Sequence, residues 1–279
     1  MAKSVSVKPY LIIKPKKGWH LIDFKELKEY RDLFYFLVAR DIKVRYKQTV
    51  LGGLWAIIQP FFMMVVFTLF FGQLAKVPSD GVPYPIFNYS AMVAWAYFAS
   101  AITTSANSLI QEANLISKVY FPRIITPLAP TIAFLLDFAI SFVILIGMML
   151  YYHIYPNIMA VFLPFLVILM MFTASGVGMF LAALNAQYRD IRYTIGFMVQ
   201  FWMFASPVVY PVSMLPEKYH LIYAINPMVG VIEGFRSSLL GTVAFPTQMV
   251  LVSTLVSVLL FIIGALYFRQ TERYFADVI

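Results

Sequence analysis

Side chains able to act as acids, bases, nucleophiles or metal ligands are sparse in this sequence. Cysteine is absent from the 279 residues, and the three histidines, His20, His153 and His220, lie far apart. Disulfides and thiolate metal sites are therefore excluded, and a histidine metal cluster is not indicated. We expect neither a catalytic residue nor a metal site in this chain.

Asp137 is the only carboxylate within the long apolar segments. A carboxylate in lipid is costly unless it is neutralised or hydrogen-bonded. It is either a substrate or proton contact, or a polar tie to a hydroxyl, an amide or the end of a nearby short helix. The tie is favoured, because no second intramembrane acid is present to form a proton relay. Glu233 and Arg236 share a helix face, as an ion pair or as part of a gate.

The machinery for binding ATP is missing. The phosphate-binding pattern G-x-x-x-x-G-K-[ST] does not occur, and no Gly-Lys dipeptide is found anywhere in the chain. If ATP powers this protein, ATP and its magnesium ion must bind to another subunit, and this chain needs no cofactor.

Composition predicts an all-α integral membrane protein, because 61% of the residues are hydrophobic, only 12% are charged, and the mean hydropathy is +0.80. Continuous apolar runs favour helices over a β-barrel. Six segments of about 20 residues or more are long enough to span a bilayer. They are Val50–Phe71, Ala91–Ile110, Ile124–Tyr151, Ile158–Leu184, Tyr193–Val212 and Met249–Phe268. Residues 49–279 form this six-span domain, and residues 1–48 form a lead-in.

Basic residues set the orientation. With the amino terminus inside, 18 of the 21 Lys and Arg lie in inner segments and three in outer segments. The positive-inside rule then places both termini in the cytoplasm. The net charge of +8 does not indicate nucleic acid, because 12 of these residues cluster in residues 1–49, where they face anionic lipid and a partner protein.

Two segments predict helices that do not span. From Leu21 to Val38, apolar residues recur every three or four positions among charges, which is typical of an amphipathic interface helix or of a surface helix packed on the protein. Residues 213–246 are apolar but contain helix signals for a short element only. Asn226 is the expected N-cap, Pro227 the first helical residue and Gly241 the residue after the end. We expect short re-entrant helices here, packed at the mouth of a pathway.

Several short motifs occur in the order found in one family. The run 39–52 reads ARDIKVRYKQTVLG, followed by Leu54-Trp55 and Pro60. Further matches are FG at 71–72, PSDG at 78–81, KVYFPR at 118–123, LDF at 136–138, YRDIRY at 188–193, SPV at 206–208, NPM at 226–228 and EGFR at 233–236. Together they cover nearly the whole chain, which resembles the ABC type-2 permeases that export O-antigen, teichoic acid or capsule-like polysaccharides.

This resemblance implies a homodimer in the cytoplasmic (inner) membrane, with two separate nucleotide-binding ATPase subunits on the cytoplasmic side. The amino-terminal helix and the connections after the second and fourth spans would contact those subunits, and the short outer helices would close the exit. The contact residues implied are Asn114, Leu115, Lys118, Tyr120, Phe121, Arg123, Tyr188 and Arg189. Ordinary capping of helix ends is the alternative explanation for these connections.

Aromatic residues make up 17% of the chain. Sugar rings stack on aromatic faces, which suits a path along which a glycan slides. Core packing and interfacial belts must explain most of these rings, but we expect Trp55, Phe62 and Trp202 to line the path. The predicted function is that of the permease subunit of an ATP-driven exporter of a lipid-linked polysaccharide. One alternative is an exporter of another lipid or drug. Another is a membrane-embedded glycan-processing enzyme, which the lack of clustered acidic residues disfavours.

Overall fold

The computed structural model describes residues 24–47, 54–188, 190–241 and 243–275. Every regular element in these ranges is a helix, as the composition predicts. The α-helices are α1 Phe24–Glu29, α2 Arg31–Lys47, α3 Trp55–Phe67, α4 Tyr84–Gln111, α5 Ala113–Lys118, α6 Ile125–Tyr151, α7 Leu163–Gln187, α8 Ile191–Phe204, α9 His220–Tyr223, α10 Pro227–Leu240 and α11 Thr247–Thr271. A π-helical segment, Thr68–Leu74, extends α3, and short 3-10 turns precede α7 and α9 and follow α11.

Four helical stretches are long and apolar enough to cross a membrane. They are Ile57–Leu74, Ile125–Tyr151, Ile158–Gln187 and Thr247–Thr271. The last three coincide within three residues with the third, fourth and sixth predicted segments. The first corresponds to the predicted Val50–Phe71 but begins seven residues later, and residues 50–53 lie outside the described ranges. A multi-pass helical membrane domain therefore follows from length and composition.

Helix α4 forms the centre of the bundle and packs against both α6 and α7. It begins at Tyr84, seven residues before the predicted Ala91, behind Pro83 and with Pro85 in its first turn. Its buried face carries polar side chains that bond to neighbouring helices. The Ser105 hydroxyl donates to the carbonyl of Pro127 at 2.6 Å. This polarity lowers the hydropathy of a helix that is nonetheless 28 residues long.

Helix α8 ends at Phe204, eight residues before the predicted Val212. The chain then runs without helical structure to Pro211. Pro207 and Pro211 have no N–H to donate to a continuing helix. A side chain of α10, described below, binds carbonyl groups of this non-helical segment.

Helix α10 matches its predicted ends. The Asn226 side chain accepts a hydrogen bond from the backbone N–H of Met228 at 3.1 Å, and Pro227 is the first helical residue. Gly241 follows the last residue with φ of 66°, a left-handed conformation that glycine adopts without strain. All fourteen residues of α10 are buried, so this short element lies inside the protein.

Helices α7 and α11 approach closely at two glycines. A Cβ on Gly264 would overlap the backbone of Gly176, and a Cβ on Gly176 would lie 2.6 Å from the backbone of Phe261. Small residues permit this approach between membrane helices. Gly230 and Gly234 of α10 also permit close packing, because a Cβ on Gly230 would meet Ser253 of α11 and a Cβ on Gly234 would meet Leu166 of α7.

The amino-terminal helix differs from its expected bounds. From residue 24 onward the predicted helix Leu21–Val38 corresponds to α1 and the first half of α2, and α2 continues to Lys47. Residues 21–23 lie outside the described residues. Its Leu37 is buried against Ile125 and Ala129 at the start of α6. The last turn of α2 reaches Asp137, three turns further along α6. The second half of α2 therefore runs beside α6.

Candidate functional site

Exposed side chains on α3, α6, α8 and α11 fall into two chemical groups. Those of α6 and α11 are mainly aliphatic, including Val143, Ile146, Leu251, Leu255 and Ile263. Those of α3, its π-helical extension and α8 are mainly aromatic: Trp55, Phe61, Phe62, Phe70, Tyr193, Phe197, Phe201 and Phe204. We call this second group the aromatic face. Aliphatic surface suits lipid, whereas a concentration of rings on two helices that both pack on α4 indicates a different contact.

The three residues expected to line a path differ in position. Trp55 and Phe62 belong to the aromatic face and are 55% and 62% exposed. Trp202 is turned inward. Its indole N–H donates to the Asn226 side chain at 2.9 Å, and its ring meets Phe98 edge-on at 5.1 Å. Trp202 thus joins α8 to the start of α10.

Asp137 pairs with residues of α2. Its carboxylate accepts hydrogen bonds from the Arg45 guanidinium and the Tyr46 hydroxyl. The guanidinium also lies over the ring of Phe134, 3.6 Å from its centre. A carboxylate with a cation and a phenol is neutralised and hydrogen-bonded, which removes most of the cost of placing it in an apolar environment.

A cavity of about 420 Å³ opens beside this ion pair. It lies between the end of α2 and helices α3, α4 and α6. Its walls combine charged, amide and aromatic groups, among them Arg45, Tyr46, Trp55, Gln59, Trp95 and Asp137. The cavity therefore brings Asp137 and Trp55, two residues singled out in the sequence, to one site.

A second ion-pair group lies nearer the start of α6. Arg40 of α2 donates to Asp41 and to Glu112, with nitrogen–oxygen distances of 2.7 and 2.6 Å. Glu112 is the residue between α4 and α5. Hydrogen bonding to Glu112 raises the pKa of Arg40 above its ordinary value, so the guanidinium stays charged. This group connects α2 to the junction between α4 and α5.

The connection around α5 presents an outer and an inner side. Asn114, Lys118 and Tyr120 are exposed, whereas Leu115 is half-buried and Phe121 is only 3% exposed. Phe121 packs in one cluster with Leu109, Met179 and Phe268 from the ends of α4, α7 and α11. These helix ends therefore lie together at one end of the bundle.

Two further predicted contacts lie at this end. The Arg123 backbone N–H donates to the Glu272 carboxylate at 3.0 Å, and its guanidinium donates to the Glu272 carbonyl at 2.5 Å. Arg123 thus ties the start of α6 to the end of α11. Tyr188, which follows α7, is 59% exposed. Arg189 lies outside the described residues.

At the opposite end, Arg236 and Glu233 form a buried pair at 2.9 Å. Arg236 also donates to the carbonyl of Val208 at 2.8 Å, and its guanidinium lies 3.7 Å from the centre of the Phe87 ring. Weaker bonds at 3.4 Å reach the carbonyls of Phe87 and Tyr210. One side chain of α10 therefore holds both the start of α4 and the non-helical segment after α8.

Sequence reasoning missed the roles of Arg40, Arg45, Tyr46 and Glu112. A signal was present for Arg45, because a lone Asp in an apolar helix requires a donor partner. The amphipathic helix before the first span carries several cations. Choosing among them requires the depth to which α2 runs beside α6, and local spacing does not encode that depth.

Residues 32–240 match the family model described as ABC-2 type transporter. The O-antigen export system permease protein RfbA of Myxococcus xanthus is 28% identical over 216 residues, covering 76% of this chain and 82% of that protein. The protein of the same name from Klebsiella pneumoniae is 26% identical and covers 89% and 95%. The polysialic acid transport protein KpsM of Escherichia coli is 23% identical and covers 85% and 92%.

Proposed function

Because the chain belongs to the ABC-2 type transporter family, we propose that it is the permease subunit of an ATP-driven exporter of a lipid-linked polysaccharide. The relatives named above are permeases or transport proteins for O-antigen and polysialic acid, and they match over most of their length. The observation that carries the proposal is the aromatic face on α3 and α8. Flat rings give a glycan a surface on which C–H faces stack while hydroxyl groups stay hydrated.

The proposed topology has six spans with both termini in the cytoplasm. The four long apolar helices are joined by α4, which at 28 residues exceeds the length a bilayer needs, and by α8 with the segment that follows it. The short elements from Val212 to Leu240 enter from the outer side without crossing. The non-helical backbone after α8 is buried by Arg236, which is the condition for such backbone at membrane depth.

The proposed assembly is a homodimer with two ATPase subunits. The aromatic faces of two copies would enclose the path, with Trp55 and Phe62 directed toward it. At the opposite side from α10, the exposed residues Asn114, Lys118, Tyr120 and Tyr188 would contact the ATPase. Leu115, Phe121 and Arg123 would support that surface from within, through their packing and the bond to Glu272.

The proposed mechanism is coupling. ATP binding shifts a permease equilibrium only if the ATPase holds one permease state more tightly than the other. Movement of α5 would reach α2 through the Arg40–Glu112 pair, while Arg123 holds the start of α6 to the end of α11. The path between two copies would then open while the lipid anchor of the glycan stays in the bilayer.

Purification and transport test the function together. Tagged protein purified from its host should bring down a nucleotide-binding subunit, and glycan transport into vesicles should require both subunits and ATP. A preparation without the partner that still moves glycan would contradict the proposal. So would a host that keeps its full surface glycan after this chain is deleted.

Labelling tests the topology. The chain has no cysteine, so single cysteines introduce the only thiols. Ser117→Cys, on the exposed side of α5, should resist an impermeant maleimide in intact cells and react after the membrane is opened. Ser213→Cys, at the other end of the bundle, should react in intact cells. The reverse pattern would overturn the orientation and the ATPase docking surface.

A further inference from the structure

The cavity beside Asp137 has the size and lining of a ligand site, and the residues of one copy of the chain form it. Its volume of about 420 Å³ lies within the range of small-molecule sites, about 300–1,000 Å³. A second cavity of about 420 Å³ adjoins it, lined by Arg40, Asp41 and Glu112. Arg45 and Phe134 line both cavities. The stacked Arg45 and Phe134 side chains therefore stand between two chambers along the α4–α6 seam.

The charge of the two cavities disfavours an anionic ligand. Among the described residues that line them, the guanidinium groups of Arg40 and Arg45 face the carboxylates of Asp41, Glu112 and Asp137. The formal balance is one negative charge, and each of these charges already has an opposite partner. A phosphate entering here would compete with carboxylates for both cations. A neutral ligand avoids that competition.

The polar groups suit a ligand that both donates and accepts hydrogen bonds. Asp137 offers carboxylate oxygens, Arg45 offers N–H donors, and Gln59 offers both kinds of group on the same cavity wall. Each hydroxyl of a sugar donates one hydrogen bond and accepts others, so neighbouring acceptor and donor groups match it.

The two tryptophans of the cavity differ in exposure, and this difference identifies the one that is able to stack on a ligand. Trp95 is only 4% exposed and its ring packs against Phe98 at 5.4 Å, so it belongs to the core. Trp55 is 55% exposed although it lines the cavity. An indole with an open face beside an Asp–Arg pair provides a stacking surface for the apolar face of a sugar ring.

We propose that this cavity binds one neutral sugar unit of the exported glycan, with Trp55 stacking on the ring and the Asp137–Arg45 pair bonding to its hydroxyls. The proposal rests on the function proposed above. Asp137 then has two roles. It holds α2 against α6 through Arg45 and Tyr46, and its carboxylate oxygens accept hydrogen bonds from the ligand. Each copy of the chain has its own site, at the side of the path rather than on its axis.

Photochemical cross-linking in the native host tests this site. The full chain carries a photoreactive benzoylphenylalanine in place of Met63, which lines the cavity and leaves Trp55 intact. The control carries it in place of Leu251, which is 63% exposed on α11 and lies outside the cavity. The Met63 position should yield a protein–glycan adduct in about tenfold excess over the control, as expected for a preference of about that size in binding.

Two variants in the Met63 background separate ligand binding from folding. Trp55→Ala and Asp137→Asn should each lower the adduct about tenfold while the amount of protein in the membrane stays unchanged. If Asp137→Asn reduces the amount of protein, Trp55→Ala decides, because its half-exposed ring is not a core element. Unchanged adduct with Trp55→Ala would overturn the proposal.

The remaining outcomes distinguish this site from the exporter function. Loss of surface glycan on deletion of the chain, together with no Met63 adduct above the control, would overturn the sugar site and leave the function standing. An adduct containing phospholipid without sugar would replace the sugar site by a lipid site. Surface glycan that persists without the chain would remove the function and the site with it.

Discussion

Each end of this bundle contains an Arg–Glu ion pair, and the two pairs differ in how far they are exposed to solvent. Around α10, the Arg236 and Glu233 side chains are 2% and 11% exposed. Around α5, the Arg40 and Glu112 side chains are 34% and 15% exposed. A buried pair is costly to break, because either partner left alone is an uncompensated charge, whereas a part-exposed pair exchanges with water at little cost. We infer that the α10 end is fixed and that the α5 end is able to move.

The largest expected effect is at the buried end. Arg236→Met leaves Glu233 without its partner and releases the carbonyls of Val208 and Tyr210. We expect a loss of about 3–5 kcal/mol of stability, seen as a large fall in the melting temperature of the purified protein in detergent and in its amount in the membrane.

Two further variants sharpen this result. Glu233→Gln combined with Arg236→Met should recover part of the loss, because no unpaired charge remains. Arg269→Met, at the other end, breaks a pair of the same i, i+3 spacing whose side chains are 24% and 17% exposed, and it should cost much less. Equal losses for Arg236→Met and Arg269→Met would contradict the distinction between the ends.

An intermediate effect is expected for the start of α10. Asn226→Ala removes the N-cap of α10 and the bonds to Trp202 and Ser206. Loss of a cap costs about 0.5–2 kcal/mol. We expect a value in the upper part of that range, because Trp202 and Ser206 also lose their hydrogen bonds to Asn226. Thermal unfolding in detergent measures it. Asn226→Asp keeps an acceptor for the Met228 N–H and should retain more stability than Asn226→Ala.

The smallest effect on stability is expected for Arg40. Arg40→Gln breaks a part-exposed group, and the stability loss should stay below about 1 kcal/mol. Export should nevertheless fall, because in the proposed mechanism this side chain passes the movement of α5 to α2 through Glu112, at the junction of α4 and α5. Surface glycan, measured at equal protein amounts, tests this. Normal export by Arg40→Gln would show that the pair does not transmit the ATPase movement.

The sequence was most informative where the determinants are local. Asn226, Pro227 and Gly241 define both ends of α10 through the capping and turn preferences of single residues. The early end of α8 was missed although a local signal was present, because Pro207 and Pro211 cannot donate to a continuing helix. What the local sequence does not contain is the partner of the non-helical backbone, Arg236, which lies 32 residues after Phe204 and binds the Val208 carbonyl.

The cavity was the least predictable feature. Arg45 and Asp137 are 92 residues apart, and their pairing depends on how far α2 runs beside α6. Spacing within one helix contains no information about that alignment. Trp55 was recognised as a ring near the path, but its place in a cavity with Asp137 required the packing of four helices.

The contact between Gly176 and Gly264 limits which parts of the protein are able to slide. At these two glycines the backbones of α7 and α11 touch, with no side chain between them to absorb a shift. These two helices, with α10 seated on them through Gly230 and Gly234, would act as the stationary frame of each subunit. A movement of α5 driven by the ATPase would then displace α2 and α3, together with the aromatic side chains of α3.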